Sequence, residues 1–390
     1  MARQQLPPQI KKKTVRDRKT GKPAVRYEIT ADAGMNPDTG KRQQVRRRYA
    51  TERMARDALA ELQSSVTSGT FVSRSTLTVE QACADWLAGR HGIRPTTRAA
   101  YEHSLAPLRA RHGELEVQQL TKGHLDQLVA DLIAGRCPGQ RKGWTAGSVN
   151  PMLNHVSAVL SGLVSEGLLV RDVAALIDRL KKPRQKLATF TEEEARKLLA
   201  HVERDRLGHA WHLALSGLRR GELGGLRWSD IDLLTGTVAI IHNRVSVNGQ
   251  AMDSQPKTED SARVLPLTPA LTSALRRALA IQKIERLALG PDYGLGEHVV
   301  CDQVGRPYHP DTLSDFWRAL CIDAKVPRIR LHDARHTCGT LMHMQGVPIV
   351  VISQWLGHAD PAFTMRTYVH SQDEALKLAA ESLQRVVTPS

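Results

Sequence analysis

The chain has 390 residues, 41% of them hydrophobic, and its 55 Lys and Arg against 40 Asp and Glu give a formal net charge of +15. That length suits two or three domains with ordinary cores, and the positive surplus asks for an anionic partner, nucleic acid first and a membrane surface second. No apolar run approaches a membrane span, the opening MARQQLPPQIKKK lacks an apolar signal segment, and the five scattered cysteines, none at metal-ligand spacing, read as reduced thiols of a cytosolic protein.

Residues 1–73 hold most of the surplus charge. Val25, Tyr27 and Ile29 alternate as in a strand, as do Val45, Arg47 and Tyr49. Turns are expected at Thr20-Gly21 and from Met35 to Gly40. A helix capped by Thr51 follows, with Met54, Ala58 and Leu62 on one side. The expected product is three short strands and a helix. Lys11, Lys12, Lys13, Arg46, Arg47 and Arg48 are its candidate phosphate contacts.

Residues 74–183 read as all-helical. Val79, Ala82, Cys83 and Trp86 share helical spacing between Leu77 and Ala88. Pro95 opens a second helix to about Arg111, with Tyr101 and Leu105 turned inward. Thr121 caps a third, striped by Leu125, Leu128 and Leu132, and Ser148 to Gly167 makes a fourth. Between the last two lies the basic loop GRCPGQRKGWTAG, whose Arg141 and Lys142 suit a nucleic-acid backbone. Lys181 and Lys182 belong to a basic, proline-containing linker, LKKPRQK.

From residue 184 onward a mostly helical segment with one small antiparallel sheet is expected. Thr191 and Glu194 form a capping box. In SGLRRGELGGLRWSDID, Gly217 precedes a helix start, and Arg219 and Glu222 stand three apart, so the carboxylate can fix the guanidinium. Two strand-like runs, Thr237–Ile241 and Ala262–Leu267, flank a polar connection that carries Lys257. The stretch from Leu331 to His370 then places His332 and Arg335 on one helix face, with Asp333 favouring the start of that helix. Pro348 to Leu356 reads as a short apolar helix stopped by Gly357, with His358 on the turn after it. Asp360-Pro361 starts another segment, two turns into which lies Tyr368. A last helix is expected from Asp373 to Val387. Taken singly, each of these side chains has a commoner role on a solvated or packed surface. Together, two cations, an imidazole and a phenol at helix ends suit a phosphate-like substrate.

Arg219, Lys257 (in QPKTEDSARVLPL), His332, Arg335, His358 and Tyr368, in this order and with the phrases GLRRGEL, LHDARHT, LGHADP and TMRTY around the others, resemble the active-site set of the tyrosine recombinases, the phage integrase family. The catalytic resemblance covers roughly residues 189–390. It implies a multidomain, mainly α fold with a little β: an arm-type DNA-binding domain at 1–73 (a three-stranded sheet plus a helix), a helical core-binding bundle at 74–183, and a mixed, mostly-α catalytic domain at 184–390. It implies Tyr368 as nucleophile, Arg219 and Arg335 as phosphate clamps, His332 as base, Lys257 as general acid, His358 as a phosphate hydrogen-bonder and Glu222 as the holder of Arg219. The implied product is a 3′-phosphotyrosyl link, made with no metal or other cofactor. The implied partners are double-stranded DNA attachment sites, further copies of the chain in a synaptic tetramer, a host bending factor and an excision directionality factor, in the bacterial cell interior at the nucleoid. The basic N-terminal domain favours integration of a phage or other mobile element. The alternatives are strand passage of the type IB topoisomerase kind and a non-catalytic DNA-binding regulator.

Overall fold

The computed structural model describes residues 5–16, 22–35, 42–67, 71–183, 187–254, 262–294, 296–358 and 365. Thr20-Gly21, the turn following Met35, Lys257, Asp360-Pro361, Tyr368 and the expected closing helix lie outside the described residues. The chain divides into two compact units, Met1–Lys182 and Pro183–Ser390.

The first unit opens with strands β1 (Ile10–Arg16), β2 (Pro23–Met35) and β3 (Arg42–Tyr49), which form an antiparallel sheet in the order β1-β2-β3. One face buries Ile10, Ile29 and Ala31 against helix α1 (Glu52–Thr67). Strand alternation therefore sends Glu28 and its neighbours to the other face. Two expectations need correcting. β2 is a long strand of 13 residues, and the buried stripe of α1 is Ala55, Leu59 and Leu62. Met54, expected inside, is 52% exposed, and the small Ala55 beside it is the residue fully buried against the sheet.

Helices α2 (Val79–Ala88), α3 (Pro95–His112), α4 (Lys122–Ala134) and α5 (Ala146–Ser165) complete the unit. Thr78 and Thr121 cap α2 and α4 with reciprocal side-chain bonds, and proline opens α3. Leu105, Leu125, Leu128, Leu132 and Val156 are fully enclosed in their shared core, which follows the expected stripes.

The second unit contains α6 (Glu192–His201), α7 (Gly208–Leu215), α8 (Arg220–Gly225), α9 (Pro269–Leu289), α10 (Pro310–Asp323), α11 (Leu331–Met344) and α12 (Ile349–Leu356). Thr191 and Glu194 form the expected capping box at α6. The core gathers Phe190, Trp211 and Trp317, with the Trp317 ring centroid 6.0 Å from that of Phe190 and 5.7 Å from that of Trp211. Strands β4 (Ile231–Asp232), β5 (Thr237–Ile240) and β8 (Arg263–Pro266) form an antiparallel sheet in the order β4-β5-β8. The connection between β5 and β8 is not merely polar loop. It contains a second, separate hairpin, β6 (Asn243–Val247) with β7 (Gln250–Ser254), whose first strand backs α8. The expected single sheet is therefore two, and Ile241 falls outside β5, 43% exposed. The architecture is mainly α with a small β component, as the sequence led us to expect. Among the described residues no helix is long and apolar enough to cross a membrane.

Candidate active site

The site begins where α7 ends. Gly217 is buried and adopts φ +99°, a left-handed conformation that turns the chain sharply between α7 and α8. Arg219 then sits at the N-cap of α8. Its Nη1 donates to Glu222 Oε1 at 2.6 Å, while its backbone N–H donates to Glu222 Oε2 at 2.8 Å. The carboxylate thus caps the helix and orients the guanidinium at once.

α11 brings the second guanidinium. A reciprocal Arg330–Asp333 cap starts this helix. Arg335, one turn in, is only 1% exposed. Its Nη1 donates to the Gly217 carbonyl at 2.6 Å and its Nη2 donates to the Leu356 carbonyl. Arg219 reaches the same place, since its Nη2 donates to the Gly357 carbonyl at 2.7 Å. Both cations therefore meet at the C-terminal end of α12, where carbonyl groups lack helical partners and the helix dipole is negative. Gly357, at φ +61°, ends α12 and directs the chain into His358.

The imidazoles here are held neutral. Desolvation, reinforced by Arg335 and Arg219, pushes His358 down to about 3. Desolvation, with help from His332, lowers His336 to about 4. His332 lies edge-on to His336 at 4.9 Å, and desolvation followed by the charge of Arg335 depresses it as well. Glu222 moves the other way from a buried acid: Arg263 and Arg219 outweigh its desolvation and hold it at about 2. The arrangement offers fixed positive charge, a neutral imidazole able to accept a proton and another able to donate a hydrogen bond.

Of the candidate residues, Arg219, Glu222, His332, Arg335 and His358 are brought together around the start of α8, the first turns of α11 and the end of α12. Lys257 and Tyr368 lie outside the described residues. Arg263 was not among the candidates. Its Nη2 and Nη1 donate to Glu222 at 2.9 and 3.1 Å, and its Nε donates to the Trp355 carbonyl at 2.8 Å. The available signal was an arginine inside an otherwise apolar strand pattern. Beside His332 opens a groove of about 670 Å³ lined by Arg220, Arg318, Arg328 and Arg330. Among the described residues no group of His, Cys, Asp and Glu is arranged to hold a metal ion.

Elsewhere, the candidate contacts of the N-terminal sheet separate by face. Strand register puts Lys11 opposite Glu28 and Lys13 opposite Arg26, while Arg48 and Arg46 pair with Glu28 and Thr30. Lys11, Lys13, Arg46 and Arg48 thus share the face away from α1. Lys12 and Arg47, paired with Tyr27 and Ile29, belong to the helix side. Glu28 binds Lys13 at 2.5 Å and Arg48 at 2.7 Å, and those hydrogen bonds hold its carboxyl at about 2. Arg141, Lys142, Lys181 and Lys182 are exposed.

Residues 188–375 match the phage integrase family. A XerC-like tyrosine recombinase of Caldanaerobacter subterraneus subsp. tengcongensis is 27% identical over 263 residues, covering 62% of this chain and 67% of that protein. The ICEBs1 integrase of Bacillus subtilis is 28% identical over 239 residues, covering 60% of this chain and 65% of its own length. The chain thus spans about two thirds of the length of these relatives. Among solved structures, the Tn1549 transposon integrase in complex with transposon right end DNA superposes with a TM-score of 0.64 at 18% identity, over 78% of this chain and 99% of that one. A lambda integrase dimer bound to a COC′ core site gives 0.55 at 17% identity, over 94% and 96%. These likenesses show a shared multidomain fold.

Proposed function

Because the chain belongs to the phage integrase family and is a tyrosine recombinase of the integrase type, we propose that it integrates, and with partners excises, a mobile element by cutting and rejoining DNA at specific sites. The observation that carries this is the meeting of Arg219 and Arg335 on consecutive carbonyls, Gly357 and Leu356, beside two histidines kept neutral. Fixed guanidinium groups suit the two non-bridging oxygens of a phosphodiester, whose negative charge grows as phosphorus becomes five-coordinate.

In the proposed step the Tyr368 oxygen attacks phosphorus. The new bond is Tyr O–P and the broken bond is P–O5′. A phenol, with a pKa near ~10, is protonated at neutral pH and needs a base. His332 takes that proton, and its depressed pKa leaves it free to do so. Lys257 gives a proton to the departing 5′ oxygen. His358 donates a hydrogen bond to the phosphate, and Glu222 keeps Arg219 aimed at it. The phosphotyrosyl ester stores the bond energy, so a 5′-hydroxyl from the second strand reverses the step with no metal or nucleotide. The arginine groove beside His332 would carry the flanking phosphates.

In the same reading residues 1–73 bind arm-type sites, chiefly through Lys11, Lys13, Arg46 and Arg48, with Lys12 and Arg47 contributing from the helix side. Residues 74–183 bind the core site, with Arg141 and Lys142 near the backbone. Lys181 and Lys182 follow the duplex toward the catalytic domain, 184–390. The lambda integrase has been solved as a tetramer bound to a Holliday junction. We propose the same assembly here, working in the bacterial cell interior at the nucleoid, with a host bending factor and a directionality factor. The test is capture on a nicked suicide substrate followed by peptide mapping. Attachment at Tyr368 is the expected result. A full-length chain that binds the duplex and never becomes attached to it overturns the proposal in favour of a DNA-binding regulator. Relaxation of supercoils without pairing of two sites points instead to a topoisomerase.

A further inference from the structure

Trp355, Leu356 and Gly357 are three consecutive residues at the C-terminal end of α12. Each of their carbonyls accepts from a different arginine: Arg263 Nε at 2.8 Å on Trp355, Arg335 Nη2 on Leu356, and Arg219 Nη2 at 2.7 Å on Gly357. These are the acceptors that a helix leaves without partners, and they stand at its negative end. Arg263 makes a second grip. The two terminal nitrogens of its guanidinium span both oxygens of Glu222, at 3.1 and 2.9 Å, and Glu222 in turn binds Arg219 at 2.6 Å. The Arg263 side chain is 7% exposed, against 33% for Arg219. Of the two guanidinium groups bound to Glu222, Arg219 is the more exposed, and Arg263 stands behind it.

We propose that Arg263 is a positioning residue of the strand-cleavage step. It fixes Arg219 through Glu222, and it fixes the end of α12, from which His358 follows directly in sequence and Tyr368 ten residues later. This rests on the recombinase reading given above. The role requires the planar fork of arginine. One edge of the guanidinium holds a carbonyl while the two terminal nitrogens hold a carboxylate, and a lysine ammonium offers a single point charge instead. The β8 backbone aims the side chain: Leu265, two residues on, points into the core, while the intervening Val264 is 65% exposed.

The experiment compares the full chain with Arg263→Met and Arg263→Lys on a nicked suicide substrate under single-turnover conditions. Duplex affinity, adduct rate, final adduct yield and melting temperature are measured for each. A displacement of the order of 1 Å at a clamp costs about 10²-fold in rate. The expected result is a rate about 10²-fold lower for Arg263→Met, a smaller loss for Arg263→Lys because charge opposite Glu222 is kept, and unchanged duplex affinity and final yield for both. Variants that react as fast as the parent chain overturn the assignment. So does a yield that falls in step with melting temperature in both variants, since that marks a purely architectural role. A parent chain that forms no adduct overturns the recombinase reading itself, which is a distinct outcome from either of these.

Discussion

Arg335 and Gly217 are joined by one hydrogen bond, 2.6 Å from Nη1 to the carbonyl oxygen, across 118 residues of sequence. It ties the first turn of α11 to the bend before α8, so the two motifs that supply guanidinium groups are registered against each other. The bend has little freedom. A Cβ added at Gly217 would stand 2.8 Å from Leu356 Cδ2 and 3.3 Å from Cys338 Sγ, at a φ of +99° that side chains rarely adopt. We predict that Gly217→Ala costs about 1–3 kcal/mol from backbone strain alone. The measurement is a chemical melt of the variant beside the parent, combined with suicide-substrate capture. Unaltered stability together with unaltered capture would show that the bend tolerates a side chain and that its register is unimportant.

The site also predicts how stability depends on pH. His336 and His358 sit at about 4 and about 3, below the 6.5 of a free imidazole. Between those values the unfolded chain binds protons that the folded unit refuses, so stability is lost as pH falls below 6.5. Glu222, at about 2 against 4.5, adds stability that is whole above 4.5 and disappears as pH drops toward 2. The two effects share a sign. The urea midpoint should therefore decline steadily from pH 7 to pH 4, and His336→Asn should flatten that decline. A midpoint that rises on acidification contradicts the neutral histidines.

Tyr368→Phe removes a single oxygen. Covalent capture of DNA should vanish, while affinity for the duplex, which rests on lysines and arginines, stays within about twofold. The check is a denaturing gel for the adduct alongside a native shift for binding. Residual adduct in the phenylalanine variant would move the nucleophile to another residue.

Removal of residues 1–73 tests the division of labour between the two ends of the chain. Cleavage of an isolated core site should persist, and integration in a two-site reaction should fall at least about tenfold, because the basic sheet face no longer contributes its phosphate contacts. A truncated chain that integrates as well as the full one removes the arm-binding role.

Much of this was legible in the sequence because single principles governed it. The α4 stripe of Leu125, Leu128 and Leu132 and the caps Thr121 and Thr191 are local signals, and each is realised. Other features were obscured by competing signals. The hairpin β6–β7 is a half-exposed ribbon with no clean apolar alternation, so its strands read as a polar connection. Its turn was nonetheless announced: Asn248 and Gly249 adopt φ +50° and +81°, and Asn-Gly is the dipeptide such hairpins favour. Arg263 escaped for the opposite reason. Alternation in β8 places it inward beside Leu265, and hydrophobic patterning gives no warning of a charge that is buried because Glu222 waits there. Met54 was preferred over Ala55 because apolar size is visible in a sequence and interlayer spacing is not.

Glu28 gives the N-terminal sheet a property that a tally of lysines and arginines misses. Its carboxylate is already matched to Lys13 and Arg48, so the strand face is partly neutralised from within. Each phosphate newly neutralised by a protein cation steepens the fall of affinity with salt by about 0.9 in the double-logarithmic slope, and cations engaged internally contribute less. Under the proposed arm-binding role, this face would hold a polyanion with a gentler ionic-strength response than its formal charge suggests.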